Sequence, residues 1–482
     1  MILTALVASP FLLGALAWVL PGRTARRAVF MAAGLVQAAL AARVIVNPPP
    51  PEWGGALGAD ALGQIFLGIV TLLFALGAVY TFGYMGLHRH PRRRYYVPTM
   101  LFFLGSMTLA VLSRHLGLFW VALEATTLSS ATLIFFDRSE RSLEAAWKYL
   151  ILCSVGIALA LAGTFFMALA IPSGAEGSLQ LDHLMAAAPQ MAPGWLKTAF
   201  LFLLVGYGTK MGLAPMHTWL PDAHSEAPSP VSALLSGALL NCAFLGILRA
   251  FQVTNAAGLG DFARRPLLVL GFVSMATAAA FLIRQPDYKR LLAYSSMEHM
   301  GILAVGMGLG GGPAAYGALL HALNHSLAKA LLFFTAGVVF LLYHSKAVAG
   351  VSGLARRAPL VAVLFAAGFL SITGTPPFGL FVSEFTILLA ALAGGNTWLS
   401  ALYLLLLAVA FTAMGAAFLG MIFGQPPEPP ESPAQELKGW HAVMVLAPPA
   451  VLAAASLVLG LYLPERLSAL LKSAALLLGG HG

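Results

Sequence analysis

The sequence predicts an all-α protein that crosses a membrane many times, and three observations carry that prediction. Hydrophobic residues make up 59% of the 482 residues and charged residues only 9%, against about 25% charged in a soluble globular chain. Apolar runs long enough to span a bilayer recur from one end of the chain to the other. Nearly all lysines and arginines fall between those runs or at their ends. The lipid bilayer is therefore the first partner, and length alone sets no domain count. A net charge of +9 suits loops facing an anionic inner leaflet and does not imply nucleic acid. Cys153 and Cys242 lie in separate apolar runs, with no CxxC motif and no Cys/His cluster. The sequence thus offers no cofactor or metal site of its own.

About fourteen runs read as membrane helices. They are residues 2–20, 28–46, 61–86, 97–113, 115–136, 144–170, 197–214, 229–251, 266–284, 290–309, 313–343, 359–393, 397–423 and 440–462. The first run lacks a basic start and is followed by many more, so it reads as a span and not as a cleaved signal. Placing the loop 23–27 in the cytoplasm and alternating from there puts seventeen lysines and arginines on that side and eight on the other. Arg89, Arg92, Arg93 and Lys438 belong to the first group, and Arg114, Arg249, Arg264 and Arg265 to the second. The bias predicts both termini outside, with Arg264 and Arg265 as violations. Residues 425–436 read as an acidic, Pro-rich linker. A short helix is expected in SLQLDHLMAAA, within the outer loop 171–196.

Charges inside the apolar runs point to function. Lys210 lies in TAFLFLLVGYGTKMGLAPMHTWLPDAHSEAPSP, where Pro215 and Pro221 break the helix. A lysine at a span centre costs roughly 2.5–3.5 kcal/mol and by default marks an ion path. Glu124 lies mid-run in LGLFWVALEATTLSSATLIFF and reads either as a protonated packing group or as the ion partner of Lys210. A second broken span carries Pro376, Pro377 and then Glu384. Paired broken spans point to inverted repeats with a site at each break. Glu124 to Lys210 and Glu298 to Glu384 are the same interval, which fits a repeat or arises by coincidence.

His321, His325 and Lys329 recur at i, i+4, i+8 and share a helix face. They read as a polar stripe in a water file, since no HExxH motif or third ligand for a metal is evident. Glu298 and His299 either cap the start of a span or join that stripe. Lys148, with Glu144 at i−4, is explained equally by interfacial snorkelling and by function. His217 and His224 lie in the non-helical stretch after Lys210, where backbone is tolerated only beside protein or water. Asp222 there reads as a cap, and His224 either lines a cavity or faces the cytoplasm. The span 229–251 offers Ser232, Ser236 and Asn241. Asparagine does not titrate near neutral pH, so a proton crossing there needs ordered water.

Three strings carry a family resemblance: KMGLAPMHTWLPDAHSEAPSPVSALLSGALL, DYKRLLAYSSMEHMGI and HALNHSLAKALLFFTAG. They resemble the antiporter-like subunits shared by respiratory complex I, Mrp-type cation/proton antiporters and group 4 membrane-bound NiFe hydrogenases. The resemblance spans residues 60–423. It implies fourteen helices with two inverted five-helix repeats, at 97–253 and 266–423, and breaks in the seventh and twelfth helices. Residues 1–96 and 424–482 flank the repeats. Glu124, Lys210, His321, His325, Lys329 and Glu384 match the family's functional places. A glutamate on the twelfth helix looks like chain M of complex I. The central lysine of complex I chains falls on Asn241, however, and EATTLSSATLI, LLNCAFLGILR and YSSMEHMGI look like the component F branch of hydrogenase-4. Glu298 and His299 offer the titratable group that Asn241 lacks.

The function so implied is proton translocation in a redox-driven complex of the hydrogenase-4 or formate hydrogenlyase type, in the cell inner membrane. Other membrane subunits and a peripheral hydrogenase or dehydrogenase arm are the expected partners. Iron–sulfur and NiFe centres are expected in those partner subunits. The alternatives are a chain M-type complex I subunit, an Mrp-type antiporter subunit and a non-conducting scaffold.

Overall fold

The computed structural model describes residues 1–87, 94–172, 177–425 and 439–479. Arg89, Arg92, Arg93, Lys438 and all of the acidic linker but Gln425 lie outside the described residues. The chain builds α1 (Ile2–Val19), α2 (Arg23–Val46), α3 (Ala61–Leu87), α4 (Tyr96–Leu112), α5 (Leu116–Ile134), α6 (Glu140–Ala170) and α7 (Leu181–Ala187). Then come α8 (Pro193–Met211), α9 (Trp219–Glu226), α10 (Ser229–Leu234), α11 (Leu240–Ala256), α12 (Gly260–Leu282), α13 (Tyr288–Leu309) and α14 (Gly312–Tyr343). The last are α15 (Leu354–Arg357), α16 (Pro359–Ile372), α17 (Gly379–Ala393), α18 (Thr397–Phe423), α19 (Gly439–Leu461) and α20 (Glu465–Leu477). Among the described residues, 10 helical stretches are long and apolar enough to cross a membrane. This is an all-helical membrane protein.

Burial sorts the helices into layers. The apolar windows of Ser229–Ala256 and Gly312–Tyr343 are 100% and 89% buried, so these two stretches form the axis of the bundle. Outer helices turn Val121, Leu128, Trp147, Ile151, Val155 and Phe165 outward, as a lipid-facing surface requires. The α6 and α8 backbones cross closely because a Cβ on Gly206 would overlap Ala160 and the Gly156 carbonyl oxygen, the small-residue packing that membrane helices use. That crossing brings the end of α8 against the first half of α6.

Several boundaries differ from the sequence reading. The helix α12 starts at Gly260, so Arg264 and Arg265 sit in its first turns and not in a loop. Arg264 pairs with Asp261 at 3.0 Å and Arg114 with Asp182 at 2.5 Å. Arg249 is buried and pairs with Asp60 at 2.6 Å. Three cations counted as outer-side charge are therefore neutralised by local aspartates. The expected short outer helix is α7. The residues after 462 form the additional helix α20, packed on α14 and α3.

Both broken spans are present. The helix α8 ends at Gly212 with φ 84°, and a cis Ala214–Pro215 bond precedes α9. Trp219 Nε1 donates to the freed carbonyl oxygen of Thr209 at 2.8 Å. The α16–α17 break contains Gly374 at φ 60° and a cis Pro376–Pro377 bond. Asn324 Nδ2 on α14 donates to the oxygen of Gly379 at 2.8 Å and pins the start of α17. At each break a side chain thus binds a backbone carbonyl, and such contacts with protein help non-helical backbone stand at membrane depth.

Candidate functional site

The first centre forms where α8 ends against α5 and α6. Lys210 is fully buried, and its Nζ donates to Thr127 Oγ1 and Tyr149 OH, each at 2.7 Å. Nζ also stands 4.7 Å from the centre of the Tyr149 ring, a cation–π contact. Tyr149 OH lies 2.6 Å from Ser130 Oγ. Thr127 Oγ1 donates in turn to Glu124 Oε2 at 3.1 Å, and Ser154 Oγ donates to Glu124 Oε1 at 3.3 Å. Glu124 is half-buried and reaches the outer face of the chain. Among the described residues no ion pair joins Glu124 to Lys210, which corrects the direct partnership expected from sequence. The Thr127 hydroxyl stands between them because its position one turn after Glu124 on α5 aims it at the end of α8.

The second centre lies on the central axis. Leu235–Leu239 is a π-turn between α10 and α11. A wide turn shifts the backbone hydrogen-bond register and frees a carbonyl. Within this turn the Gly237 oxygen accepts from two side chains, Asn241 Nδ2 at 2.9 Å and Ser326 Oγ at 2.8 Å. Asn241 Nδ2 also donates to Ser326 Oγ at 2.7 Å, while its Oδ1 has no partner. Asn241 therefore ties α11 to α14 at Ser326, the residue after His325.

The third centre joins α13, α14 and α17. His299 Nδ1 and His321 Nε2 are 3.0 Å apart, and His321 Nδ1 lies 3.1 Å from Ser383 Oγ. The His299 and His325 ring centres are 5.3 Å apart, and neither nitrogen of His325 has a partner. Glu384 Oε1 stands 3.9 Å from His299 Nδ1. Lys329 Nζ donates to the oxygen of Leu292 at 2.8 Å and interacts electrostatically with buried Glu298. The stripe of His321, His325 and Lys329 on α14 thus turns toward α13. Glu298 and His299 sit in the middle of α13, and the helix start is capped instead by Asp287, which accepts from Lys289 N at 2.8 Å and Arg290 N at 3.0 Å. The capping reading of Glu298 and His299 is therefore overturned.

A Cβ on Gly374 would overlap Glu384 Oε2, and the positive φ disfavours any other residue. Gly374→Ala is expected to cost about 1–2 kcal/mol from the left-handed backbone alone and to push Glu384 away from His299. Thermal melting of the purified variant checks the first effect.

The family model described as NADH:quinone oxidoreductase/Mrp antiporter, transmembrane, matches residues 113–412. The chain belongs to that family. It is an antiporter-like membrane subunit. A relative named "Hydrogenase-4 component F homolog", from Methylacidiphilum infernorum (isolate V4), is 40% identical over 368 residues, which are 75% of this chain and 76% of the relative. A chain of respiratory complex I from Thermus thermophilus with bound NADH superposes with a TM-score of 0.83 at 26% identity, covering 100% of both chains. A chain of an archaeal membrane-bound sulfane sulfur reductase superposes with a TM-score of 0.88, covering 99% of this chain and 98% of its own. At 22% identity that last likeness is one of fold.

The antiporter-family chain does not gather every residue singled out in its sequence. His217 packs beside the rings of Phe281 and Tyr294, neither of which is a candidate residue. Lys148 belongs to an ion cluster at the end of the bundle, with Glu144 at 2.6 Å and Asp222 at 2.9 Å. Asp222 also pairs with Arg290 at 2.5 Å, so it bridges α6 to α13 and does not cap a helix. His224 is fully buried against Phe333, with both ring nitrogens unpartnered, and does not face the cytoplasm. The hydroxyls of Thr127, Ser130, Tyr149, Ser326 and Ser383 went unrecognised in the sequence. For all but Ser130 the signal was there, since Thr127, Tyr149, Ser326 and Ser383 each lie one helical turn or less from a charged or imidazole candidate.

Proposed function

We propose that this chain is a proton-translocating subunit of a redox-driven membrane complex of the hydrogenase-4 or formate hydrogenlyase type. One observation carries the reading: titratable and hydroxyl side chains run through the buried axis at successive helix contacts. They pass from Thr127, Tyr149 and Lys210 to Asn241 and Ser326, then to His325, His299, His321 and Glu384. Lys210 interacts electrostatically with Cys242, the neighbour of Asn241. Ordered water completes the transfers that asparagine and serine cannot make.

The 40% identical hydrogenase-4 component F homolog supports the hydrogenase assignment, as does Asn241 where complex I chains carry lysine. We infer fourteen spans, with inverted repeats at 97–253 and 266–423. The likeness of surroundings supports the repeat: α5 and α6 flank Lys210 beside one break, and α13 and α14 flank Glu384 beside the other. In this reading both termini face outward. The complex lies in the cell inner membrane, and partner subunits carry the iron–sulfur and NiFe centres. Charge shifting in those partners acts on Glu124 at the outer face, and Thr127 passes the change to Lys210.

His325→Leu tests the path. Its ring nitrogens have no partners, so the variant orphans nothing and keeps the fold. In proteoliposomes carrying the whole complex, donor-driven acidification is expected to fall at least about 10²-fold, the low end of what proton-transfer groups supply. Unchanged flux per electron would overturn the reading.

A further inference from the structure

The buried cluster on α13, α14 and α17 has a donor arrangement that proton transfer alone does not require. His299 Nδ1, His321 Nε2 and a Glu384 oxygen lie within 4.8 Å of one another, and all three residues are buried. The tautomers are set from outside the cluster. With Ser383 Oγ donating to the oxygen of Leu380 at 2.8 Å, the same oxygen is free to accept from His321 Nδ1 at 3.1 Å. His321 therefore keeps its proton on Nδ1 and turns the Nε2 lone pair inward. His299 has its own backbone acceptor at Ile372, outside the cluster, which leaves its Nδ1 lone pair inward too. Two lone pairs facing each other at 3.0 Å are what a bound cation joins, whereas without one a ring proton between the nitrogens makes an ordinary hydrogen bond. Glu384 Oε1 is buried without a hydrogen-bond partner and completes the set.

We propose that His299, His321 and Glu384 form a binding site for a divalent transition-metal ion, with Zn2+ the best fit. Two imidazoles and one carboxylate hold zinc with one position left open. Zinc–nitrogen bonds of about 2.0–2.1 Å set tetrahedral nitrogens about 3.3 Å apart. The histidine pair must open by about 0.3 Å to reach that spacing. The carboxylate must close by about an ångström, and Oε1 breaks no hydrogen bond in doing so. Ser383 supplies the outer contact that orients a metal-ligating imidazole. The neighbours facing the cluster are Glu298, which adds negative charge, and His325 and Lys329, which limit the net positive charge the site accepts. Occupancy locks three groups of the proposed proton path. That inhibitory consequence rests on the proton-path reading, whereas the binding does not.

The test is titration of the purified full-length chain with Zn2+ under chelator competition, and with Co2+ by visible absorption. Wild type is expected to bind one buried equivalent. Glu384→Gln and His321→Gln are each expected to lower affinity at least about tenfold and to abolish the Co2+ bands of a low-coordinate site. His344→Gln, at the exposed surface, leaves both unchanged. Melting curves confirm that the variants are folded, and Glu384→Gln is the safer of the two because its Oε1 has no hydrogen-bond partner to lose. No equivalent in wild type, or equal affinity in wild type and both variants, overturns the proposal. Binding of Zn2+ with proton flux unaltered leaves the site standing and counts against the proton path.

Discussion

Lys210→Met is expected to reduce redox-driven proton transfer by about 10²–10⁴-fold, the share that a positioned acid–base group supplies. The loss is not one of folding. Methionine fills the space of the buried stem, and the desolvation cost of a cation bonded only to hydroxyls disappears with it. The hydroxyls that Lys210 Nζ contacts keep other partners, since Tyr149 OH retains Ser130 at 2.6 Å and Thr127 retains Glu124 at 3.1 Å. Lys210→Arg separates charge from proton transfer. A guanidinium stays protonated under all working conditions, so it preserves the cation yet cannot release a proton. The arginine variant should fail as completely as methionine. Acidification of proteoliposomes against donor oxidation measures both, with melting temperature as the control for folding. Full pumping stoichiometry in either variant would remove Lys210 from the path.

Arg249→Met carries the largest expected effect on stability, a loss toward the lower end of about 3–5 kcal/mol, because the partner left unpaired, Asp60, keeps a 19% exposed side chain. Arg249 binds Asp60 bidentately, with Nη1 to Oδ2 at 2.6 Å and Nη2 to Oδ1 at 2.7 Å. Nη1 also donates to Gln252 Oε1 at 3.0 Å, and Gln252 Nε2 donates to the oxygen of Leu477 at 3.2 Å. One guanidinium thus ties the start of α3 to α11 and, through Gln252, to α20. Burial raises the Asp60 carboxyl, but the Arg249 charge and hydrogen bonds outweigh it and hold the group below its usual range. A carboxylate depressed in the folded chain contributes stability above its unfolded pKa of about 3.9. That contribution is lost as pH falls through the lower folded value. In Arg249→Met the sign reverses, because an unpaired buried carboxylate is relieved by protonation. The gap in melting temperature between wild type and variant should therefore narrow between pH 7 and pH 4. A gap that stays constant over that range would show that the pair contributes no pH-dependent stability. Asp60→Asn combined with Arg249→Met should recover part of the loss, since no buried charge remains.

The axis of the bundle was legible because its residues are chemically out of place. Lysine, glutamate and histidine in runs of leucine and alanine are costly, and only function or pairing retains them. Lys210, His321, His325, Lys329 and Glu384 stand out on that ground alone. The breaks at Pro215 and Pro376 were legible because proline removes a backbone donor and glycine accepts positive φ. The π-turn at Leu235–Leu239 was not, since nothing in a run of leucine, alanine and glycine distinguishes a five-residue from a four-residue turn. What identifies it is the pair of side-chain donors on the Gly237 carbonyl, and one of them, Ser326 Oγ, comes from another helix.

Local chemistry in the sequence determined that this chain lives in a membrane and which residues pay the burial cost. Only the packed bundle decided which of them meet. Lys210 bonds two hydroxyls and not Glu124, and Lys148 and His217 lie off the central line. His299 turns out to share its nitrogen with His321 and to stand beside Glu384. The reason is geometric: periodicity places a side chain on a face of its own helix. Partner choice depends instead on the crossing of two helices, and the contact at Gly206 sets the α6–α8 crossing within the width of one methyl group.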